Sequence, residues 1–303
     1  MDRPLVSIIS INYNQSQLTI EMIRSLKKIS YPNYEIIIVD NASPSEDPQL
    51  IADAYPDVTL IRSKENLGFS GGNNIGIRAA KGEYFLFLNN DTEVESDFLE
   101  PLVDHFKSHP ETGIASPKII FYGTDDRIQY AGCTGINPWT GRGRTIGHME
   151  KDEGQHDQSF STGLINGAAM MVPRTVVEKV GLMPELYFLY YEEHDWTEMI
   201  KRAGYSCHYI ASSKIYHKES MSVGKLSVMK TFYMNRNRLM YIRRNGKGWQ
   251  YWASVMFFFG VAVPKNSIKY VTSGQTEHFK ALWKGIKWNL THTDVNKNDY
   301  LDQ

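Results

Sequence analysis

The first 90 residues alternate between two hydrophobic periods, and this alternation limits the folds that the chain can adopt. The runs "LVSIISI" (5–11) and "YEIIIVD" (34–40) are short and rich in β-branched residues, which is typical of strands buried on both faces. Between them Leu18, Met22 and Leu26 recur every four residues, which predicts an amphipathic helix. Strands that alternate with helices predict an α/β fold with a mostly parallel sheet covered by helices.

The alternation continues to Asp91 and then becomes less regular. Ser96 is expected to cap the next helix, because a serine just before an apolar periodic run satisfies free backbone N–H groups. The region 122–163 is rich in Gly, Thr, Asp and His and shows little periodicity. Elsewhere we expect helices over 46–55, 68–82 (opened by glycines) and 192–204, and further helices beyond about residue 222. Strands are expected over 58–63, 83–91, 205–210 and 213–217. The segment 167–181 is expected to be apolar at its start and helical after it.

Length and charge narrow the class of protein. With 303 residues the chain is long enough for a large domain with an appendage, and a change in character predicts domains of 1–221 and 222–303. The net charge of −1 gives no general basic field for a nucleic acid partner. The longest apolar run, 252–264, is shorter than the ~18 residues of a membrane-spanning helix. Cys133 and Cys207 are far apart, so a reducing, cytoplasmic location is expected.

Polar residues follow the predicted strands at the points where they end. Asn12 and Asn14 follow the first strand, Asp40 ends the second, Asp91 follows the fourth, and His217 ends the last short strand. The carboxyl ends of parallel strands meet at one edge of an open sheet, and ligands bind there. We therefore expect these side chains to lie together at one rim, although Asp and Asn also follow strands because they form side-chain turns.

Six segments, taken in their order along the chain, resemble motifs of the inverting glycosyltransferases of family 2, which have the GT-A fold. They span nearly the whole chain, and the later segments resemble bacterial rhamnosyltransferase-type enzymes of cell-surface polysaccharide synthesis. The segments are "VSIISINYN", "IIIVDNAS", "NLGFSGGNNIGIRAAKGEYFLFLNNDTEV", "GAAMMVPRTVVEKVGLMPELYFLYYEEHDWTEMIKRAG", "IYHKESMSVG" and "YMNRNRLMYIRRN".

The resemblance implies both a fold and an activity. The fold would be a Rossmann-like, mostly parallel sheet flanked by helices, with a C-terminal helical extension. The activity would be transfer of a sugar, with L-rhamnose as the candidate, from a dTDP- or UDP-sugar to a hydroxyl of a glycan or lipid-linked acceptor. The configuration at the anomeric carbon would be inverted.

The resemblance also implies a divalent cation. The segment "LNND" stands where the family has its metal-binding DXD motif, so Asp91 would be a ligand and His217 would complete the site. Oxygen ligands suit Mg²⁺ or Mn²⁺, and an imidazole suits Mn²⁺ better. Asn90 offers an amide oxygen but carries no charge, which makes the cation site weaker than one with two or three carboxylates.

Donor contacts are implied at the same rim. Asp40 would accept the N3–H of a uracil or thymine ring, and the neighbouring loop would touch the base or the ribose. The segment "NLGFSGGNN" (66–74) would pass beneath the ribose and diphosphate. The residues implied as donor-binding are Asn12, Asn14, Asp40, Asn66, Gly71, Gly72, Asn73, Asn90 and Asp91.

The segment "EEHDW" matches the acidic motif that supplies the family's catalytic base. By position Glu193 is the base, although the family usually has an aspartate there, which leaves Glu192 and Asp195 as alternatives. In a helix Glu192, Asp195 and Trp196 would point similarly and Glu193 would be offset. Asp195 would otherwise bind a sugar hydroxyl, and Trp196 is expected to pack in the core.

Two regions have open interpretations. The irregular region 122–163, which contains Trp139, Arg142, Arg144 and His148, is either a lid that closes on the donor or a surface excursion. The basic, aromatic C-terminal segment suits the surface of an anionic membrane, a dimer interface, or a helical subdomain packed on the sheet.

Two other functions are weighed against glycosyl transfer. A sugar nucleotidyltransferase would need a glycine-rich loop after the first strand, where this chain has "NYNQSQLT". A catalytically inactive binding relative is favoured by Asn90 in place of an acid and by Glu193 in place of an aspartate.

Overall fold

The computed structural model describes residues 3–137, 139–140, 142–218 and 227–292. Its strands are β1 (Val6–Asn12), β2 (Tyr34–Asp40), β3 (Thr59–Arg62), β4 (Tyr84–Leu88), β5 (Thr92–Val94), β6 (Thr112–Phe121), β7 (Ile128–Tyr130), β8 (Phe160–Ser161), β9 (Ala169–Pro173) and β10 (Ser206–His217). Its helices are α1 (Ser16–Leu26), α2 (Gln49–Ala54), α3 (Gly68–Ala79), α4 (Leu99–Ser108), α5 (Arg174–Val180), α6 (Glu192–Arg202), α7 (Val228–Asn245), α8 (Gly248–Phe257), α9 (Val263–Thr272) and α10 (Thr276–Thr291).

The strands form a single mixed sheet in the order β3-β2-β1-β4-β9-β6-β10-β5, with β7 beside β6 and β8 beside β10. The first four strands are parallel, and β9 runs antiparallel to both β4 and β6. Because β10 is parallel to β6, it points the same way as β4. The carboxyl ends of β1, β2, β4 and β10 therefore lie at one rim, and the predicted mostly parallel α/β sheet is confirmed.

Both faces of the sheet are covered, which explains the apolar runs. On β1, Ile8 belongs to the core beneath α1 and α4, whereas Ile9 belongs to the core beneath α3, α5 and α6. On β4, Leu86 belongs to the first of these cores and Phe87 to the second. Successive strand residues point to opposite faces, so a strand covered on both sides needs apolar residues throughout.

Two predicted elements differ from the structure. α4 begins at Leu99 without a side-chain cap, so Ser96 is not its N-cap. Instead, the Ser96 carbonyl accepts hydrogen bonds from the backbone and side chain of Ser30, which holds the residue in the turn before the helix. The two strands expected at 205–210 and 213–217 are one strand, β10, and a register irregularity between Ile210 and Lys214 absorbs the polar residues between them.

The ten-residue strand β6 is fully buried and was not expected from the sequence. Its run "TGIASPKIIF" contains Gly, Ser, Pro and Lys, which obscure the strand pattern. Lys118 is 1% exposed and is compensated by Asp152, with its Nζ 2.9 Å from Oδ1, and by Asp157. A lysine that is fully paired can occupy the interior of a sheet, which apolar patterning does not anticipate.

The helices α7 to α10 follow the sheet and have a small core of their own. Leu239, Phe258, Val263, Leu282 and Ile286 are its main buried side chains. Between α8 and α9 the residues Phe258–Ala262 form a π-helical turn, so the two helices are continuous. The predicted domain boundary at 221/222 falls outside the described residues and stays a prediction. Within the described ranges no helix combines the length and apolarity needed to cross a bilayer.

Candidate active site

A chain of buried hydrogen bonds links the ends of β1, β2 and β4. Asn12 donates from Nδ2 to Asp40 Oδ1 at 2.9 Å, and its Oδ1 accepts from Thr19 Oγ1 at 2.9 Å. Thr19 in turn accepts from Asn90 Nδ2 at 3.0 Å. Asn12, Asp40 and Asn90 are all buried, so the structure brings these three predicted donor residues together at the rim.

Asp40 has one acceptor position left for a ligand. Its Oδ1 also accepts from Ser43 Oγ at 2.6 Å, and its Oδ2 accepts from the Ser43 amide at 3.1 Å. A carboxylate offers about four acceptor sites, and the protein uses three of them. The carboxylate is therefore oriented by the protein and retains the capacity to accept a hydrogen bond.

Other predicted donor residues are bonded to their own protein neighbours. Asn14 has a left-handed φ of 54° and accepts from the Ser45 amide at 2.9 Å, and Asn66 accepts from the Gly68 amide at 3.0 Å. Asn73 donates to the carbonyl of Phe69 at 3.1 Å within α3. These contacts shape the loops of the rim, and donor contact at Asn14, Asn66 and Asn73 stays a prediction.

The glycines of "GFSGG" lie inside α3 and not in a loop before it. A Cβ at Gly71 would lie 2.5 Å from Leu67 Cβ, and one at Gly72 would lie 2.9 Å from Ile11 Cδ1. At Gly72 the two elements that approach closely are α3 and β1. A side chain at this position would push the helix away from the strand. Contact of Gly71 and Gly72 with a donor remains a prediction.

Asn41 lies at the same rim, and no structural or binding role was expected for it from the sequence. Its Nδ2 donates to Asn66 Oδ1 at 3.0 Å and to the Gly68 carbonyl at 2.9 Å, and its Oδ1 accepts from the Leu67 amide at 3.0 Å. It therefore joins the end of β2 to the start of α3. The sequence feature that could have indicated this role is its position directly after Asp40, at the end of β2.

The predicted metal ligands Asp91 and His217 lie side by side. His217 Nε2 is 2.9 Å from Asp91 Oδ1, and its Nδ1 is 2.8 Å from Gln129 Oε1. His217 is buried, whereas a quarter of the Asp91 side chain is exposed. Gln129 orients the imidazole in the manner of a residue behind a metal ligand. No sequence signal pointed to Gln129, because it lies on β7, which was not predicted.

The residues present fit a divalent cation that is shared with a ligand. A carboxylate oxygen and an imidazole nitrogen converge, and both atom types bind Mn²⁺ and Mg²⁺. In the part of the chain that the structure describes, no group of three or more His, Cys, Asp or Glu side chains is arranged to hold a metal ion. The described residues supply two such ligands here, so phosphate oxygens and water would supply the rest.

The three acids at the start of α6 have different environments. Asp195 is fully buried, and both of its oxygens are occupied by α7: Oδ2 accepts from Arg244 Nε at 2.8 Å and Oδ1 from Asn245 Nδ2 at 2.6 Å. Glu192 is also buried, and this burial, with Glu193 as a second cause, raises its carboxyl pKa well above the usual value. Asp195 is therefore an ion-pair partner of α7 in this structure, and its alternative roles as base or sugar ligand stay predictions.

Glu193 is the acid of this group that remains available. Its side chain is 18% exposed, Oε1 lies 3.4 Å from His194 Nδ1, and Oε2 has no hydrogen-bond partner. A Cβ on Gly167 would lie 3.8 Å from its carboxyl carbon, and the neighbouring Ala168 carbonyl accepts from the Asn89 amide at 2.9 Å. The Glu193 carboxyl group therefore lies near the carboxyl end of β4.

Trp196 packs in the core, as predicted. Its side chain is fully buried, its Nε1 donates to the Gly181 carbonyl at 3.1 Å, and its ring meets Phe87 edge-on at 5.6 Å. The ring anchors α6 against β4, and Glu193 is offset from it on the helix.

The position of α6 depends on the strained turn, residues 188–191. Phe188, Tyr190 and Tyr191 have left-handed φ angles of 65°, 70° and 78°, which cost bulky side chains of order 1–3 kcal/mol each. The buried amide of Asn237 donates to the carbonyls of Leu189 and Tyr190, at 2.7 Å each, and to that of Tyr187 at 3.1 Å. These bonds hold the strained turn in place.

Neighbouring contacts complete this support. Arg236 Nη2 donates to the Leu186 carbonyl at 2.9 Å, and the Phe69 amide donates to the Phe188 carbonyl at 2.7 Å. Gly68 approaches so closely that a Cβ would lie 2.1 Å from the Phe188 oxygen. The supporting residues of α7 belong to the segment "YMNRNRLMYIRRN", for which the resemblance implied no such roles. The available signal was an asparagine inside a helical run.

The region 122–163 forms an open cleft of about 620 Å³. It is lined by Thr134, Gly135, Ile136, Asn137, Thr140, Arg142, Gly143 and Arg144. The half-exposed ring of Trp139 contacts Trp249 of α8 at 4.8 Å, so this region touches the C-terminal helices. Its function as a lid stays a prediction.

Comparison with known families identifies the chain. The model of glycosyl transferase family 2 matches residues 7–181. The chain belongs to that family. The match covers β1 to α5 and stops before the acids of α6.

Curated relatives include the low-salt glycan biosynthesis hexosyltransferase Agl10 of Haloferax volcanii, 30% identical over 203 residues. That match covers 65% of this chain and 62% of the relative. The N-acetylglucosaminyl-diphospho-decaprenol L-rhamnosyltransferase of Mycobacterium tuberculosis is 21% identical over 272 residues, which is 81% of this chain and 86% of the relative.

Solved structures share the fold. The mannosyltransferase PcManGT from Pyrobaculum calidifontis, in complex with GDP-Man and Mn²⁺, gives a TM-score of 0.58 at 16% identity and covers 96% of this chain and 88% of that one. Residues 1–349 of Staphylococcus aureus TarS give 0.57 at 15% identity, with 93% and 80% covered. The predicted GT-A fold with C-terminal helices is confirmed.

Replacement of Asn237 tests the support of the strained turn. We expect Asn237→Ala to lower the free energy of unfolding by about 2–4 kcal/mol, because buried carbonyls lose their donor. Urea unfolding measures the change. Asn235→Ala is the matched control, since its amide donates only to the Thr231 carbonyl in its own helix at 2.8 Å. The control should stay within about 0.5 kcal/mol of the wild type, and equal losses in both variants would contradict the assignment.

Proposed function

We propose that this protein transfers a sugar from a dTDP- or UDP-sugar to a hydroxyl of a glycan or lipid-linked acceptor, with inversion, in cell-surface polysaccharide synthesis. The observation that supports the proposal is that Asp40, the Asp91–His217 pair and Glu193 lie along one rim of the sheet. Family membership supports transferase activity. The printed name of the mycobacterial relative makes L-rhamnose the first sugar to test.

In this proposal the rim recognises the donor. Asp40 uses its remaining acceptor position for the N3–H of a pyrimidine ring, and Asn12 fixes the carboxylate for that bond. Asn90 and the start of α3 lie next to it and would face the ribose and diphosphate. The nucleotide specificity then comes from a single oriented hydrogen bond.

Asp91 and His217 would hold Mn²⁺ or Mg²⁺ together with the diphosphate. When bound, the cation stabilises negative charge on the leaving nucleotide diphosphate. Gln129 keeps the His217 ring in place, and Asp91 contributes the negative charge of the site. With only two protein ligands, cation affinity should depend on the nucleotide.

Glu193 would be the catalytic base. Its side chain is partly exposed and its buried Oε2 has no hydrogen-bond partner, so the carboxylate would take the proton of the acceptor hydroxyl as that oxygen attacks the anomeric carbon. Glu192 does not compete for this role, because burial favours its neutral form. The hydroxyl proton moves to Glu193, the new glycosidic bond forms, and the bond from the sugar to the diphosphate breaks.

Replacement of Glu193 by Gln tests the base. We expect Glu193→Gln to lower kcat at least ~100-fold with an unchanged donor Kd, because the amide has the same shape and cannot accept the proton. Transfer assays and isothermal titration with the nucleotide measure the two quantities. Glu198→Gln on the same helix is the control, since Glu198 pairs with Lys201 at 2.5 Å. Transfer within tenfold of the wild-type rate in Glu193→Gln would rule out this base.

Replacement of Asp91 by Asn tests the cation site. We expect Asp91→Asn to weaken Mn²⁺-dependent binding of UDP or dTDP at least ~10-fold, because the amide keeps the contact with His217 but removes the charge. Titrations with and without Mn²⁺ measure the effect. Asp97→Asn, at an exposed position after β5, serves as the control. A metal requirement that is unchanged in Asp91→Asn would refute the ligand assignment.

The C-terminal helices would place the enzyme on an anionic membrane. Residues 227–292 contain eleven Lys and Arg and a single acid, Glu277, so their formal charge is +10 in a chain whose total is −1. Trp252, Met256, Ile268 and Val271 are each more than 60% exposed on α8 and α9. Apolar and aromatic side chains among basic residues suit the interface of an anionic bilayer, where a lipid-linked acceptor would lie.

Vesicle flotation tests the membrane contact. We expect the protein to float with phosphatidylglycerol vesicles at low salt but not with phosphatidylcholine vesicles, and Trp252→Ser with Ile268→Ser to weaken binding at least ~10-fold. Leu50→Ser, which removes an exposed leucine from α2, should have no effect. Protein that stays unbound to the anionic vesicles would exclude this contact, and dimers on sedimentation would then assign the same face to self-association.

A further inference from the structure

Arg238 of α7 is a buried cation with few partners. Only 3% of the residue is exposed, its Nη2 donates to the Thr140 carbonyl, and its Nε has no hydrogen-bond partner. The guanidinium lies over the rings of Phe257 and Phe258, at 5.8 Å and 5.3 Å. These contacts hold the group in position but leave part of its hydrogen-bonding capacity unused, since a guanidinium has five N–H donors.

Among the described residues, no carboxylate balances this charge. The charged or titratable groups that act on Arg238 are Tyr191 and a second cation, Arg142. Burial lowers the pKa of Arg238 to about 10, so the group is still charged at neutral pH. A buried charge without a counter-charge is costly, and buried charged groups of this kind cluster at functional sites.

The two arginines meet at the same loop, and both act on the residue before α6. Arg142 lines the cleft, and Arg238 reaches the same loop through Thr140. Arg142, Arg238 and Glu193 all act electrostatically on Tyr191, the last residue of the strained turn. None of these groups belongs to β1, β2, α3 or β4, which carry the predicted donor contacts. The cationic site is therefore built from other elements than the predicted donor contacts and adjoins the start of α6.

We propose that Arg238 and Arg142 bind a phosphate or diphosphate group of the acceptor, so that the acceptor sugar is placed with its hydroxyl at Glu193. This inference rests on the proposed function, because it names the acceptor class of the same site. Guanidinium groups bind phosphate oxygens with paired hydrogen bonds, and a group of two or more negative charges is needed to balance two cations. The cleft of about 620 Å³ has room for a sugar phosphate.

The site also connects to the C-terminal helices. Arg238 contacts Phe257 and Phe258 at the end of α8, and Trp139 of the cleft loop contacts Trp249 at its start. An acceptor phosphate held here would lie against the helices that we propose to meet the membrane. A lipid carrier attached to that phosphate would then have a short path to the bilayer.

Binding of inorganic pyrophosphate in EDTA tests the site directly. EDTA removes the divalent cation, so the carboxylate of Asp91 would repel pyrophosphate at the donor rim. We expect wild type and Asp91→Asn to bind with equal Kd by isothermal titration, and Arg238→Met and Arg142→Gln to bind at least ~10-fold more weakly. Arg127→Gln, which changes an exposed arginine between β6 and β7, should match the wild type. An undetectable wild-type affinity, or an unchanged Kd in Arg238→Met, would overturn the proposal.

Two further measurements separate this proposal from its alternatives. The Tm of Arg238→Met should be equal to or above that of the wild type, because an apolar side chain replaces an unbalanced charge. A lower Tm with no loss of pyrophosphate binding would make Arg238 structural. Flotation with phosphatidylglycerol vesicles should be unchanged in Arg238→Met. If flotation is lost, the anion is a lipid headgroup and the acceptor assignment falls.

The proposed function can fail independently of the anion site. The protein could bind pyrophosphate through the arginines and yet transfer no sugar. That result would confirm the anion site but would remove its assignment to an acceptor. If Arg238→Met transferred sugar to a phosphorylated acceptor with an unchanged KM, the proposed transferase function would be supported and the anion site at Arg238 would be refuted.

Discussion

The common direction of β1, β2, β4 and β10 determines which residues can act together. Asn12, Asp40, Asp91 and His217 are separated by up to 205 residues in sequence, and they share one rim because each lies at or just after the carboxyl end of a strand. β9 runs the other way, and its start therefore brings Gly167 and Ala168 to the same rim beside Glu193. The direction of the strands thus gathers the predicted donor, cation and base positions at one rim.

Much of the sheet could be predicted because its strands are covered on both faces. β1, β2 and β4 consist mainly of apolar residues and are followed by polar ones. Both the presence of these strands and the residues where they end could therefore be predicted from the sequence. β6 is equally buried but contains Lys118, whose charge is balanced by Asp152 and Asp157 from a distant loop. Such compensation is a tertiary property, and patterning along one strand cannot reveal it.

The same limit applies to the site. Asp40, Asp91, His217 and Glu193 lie at strand ends or a helix start, where position alone suggests chemistry. Asp195 lies in the same motif, but it is paired with Arg244 and Asn245, about 50 residues away. Gln129 and Asn237 act through neighbours that are distant in sequence. What sequence reasoning missed were the residues that position others.

The three acids of α6 show how a helix separates roles among adjacent residues. Asp195 points to α7, Glu192 is enclosed and favours its neutral form, and Glu193 is partly exposed. α6 begins at the strained turn, and the bonds from Asn237 hold that turn in place. The different environments of the three acids therefore depend on α7.

The hydrogen bond between the Phe69 amide and the Phe188 carbonyl joins the first turn of α3 to the strained turn. On one side of this bond lie Asn41 and Asn66 at the predicted donor rim, and on the other lies the start of α6. Natural variation in this lineage would therefore be constrained as a block. A substitution that moves the start of α3 would also move the start of α6, so these two segments are expected to change together among relatives.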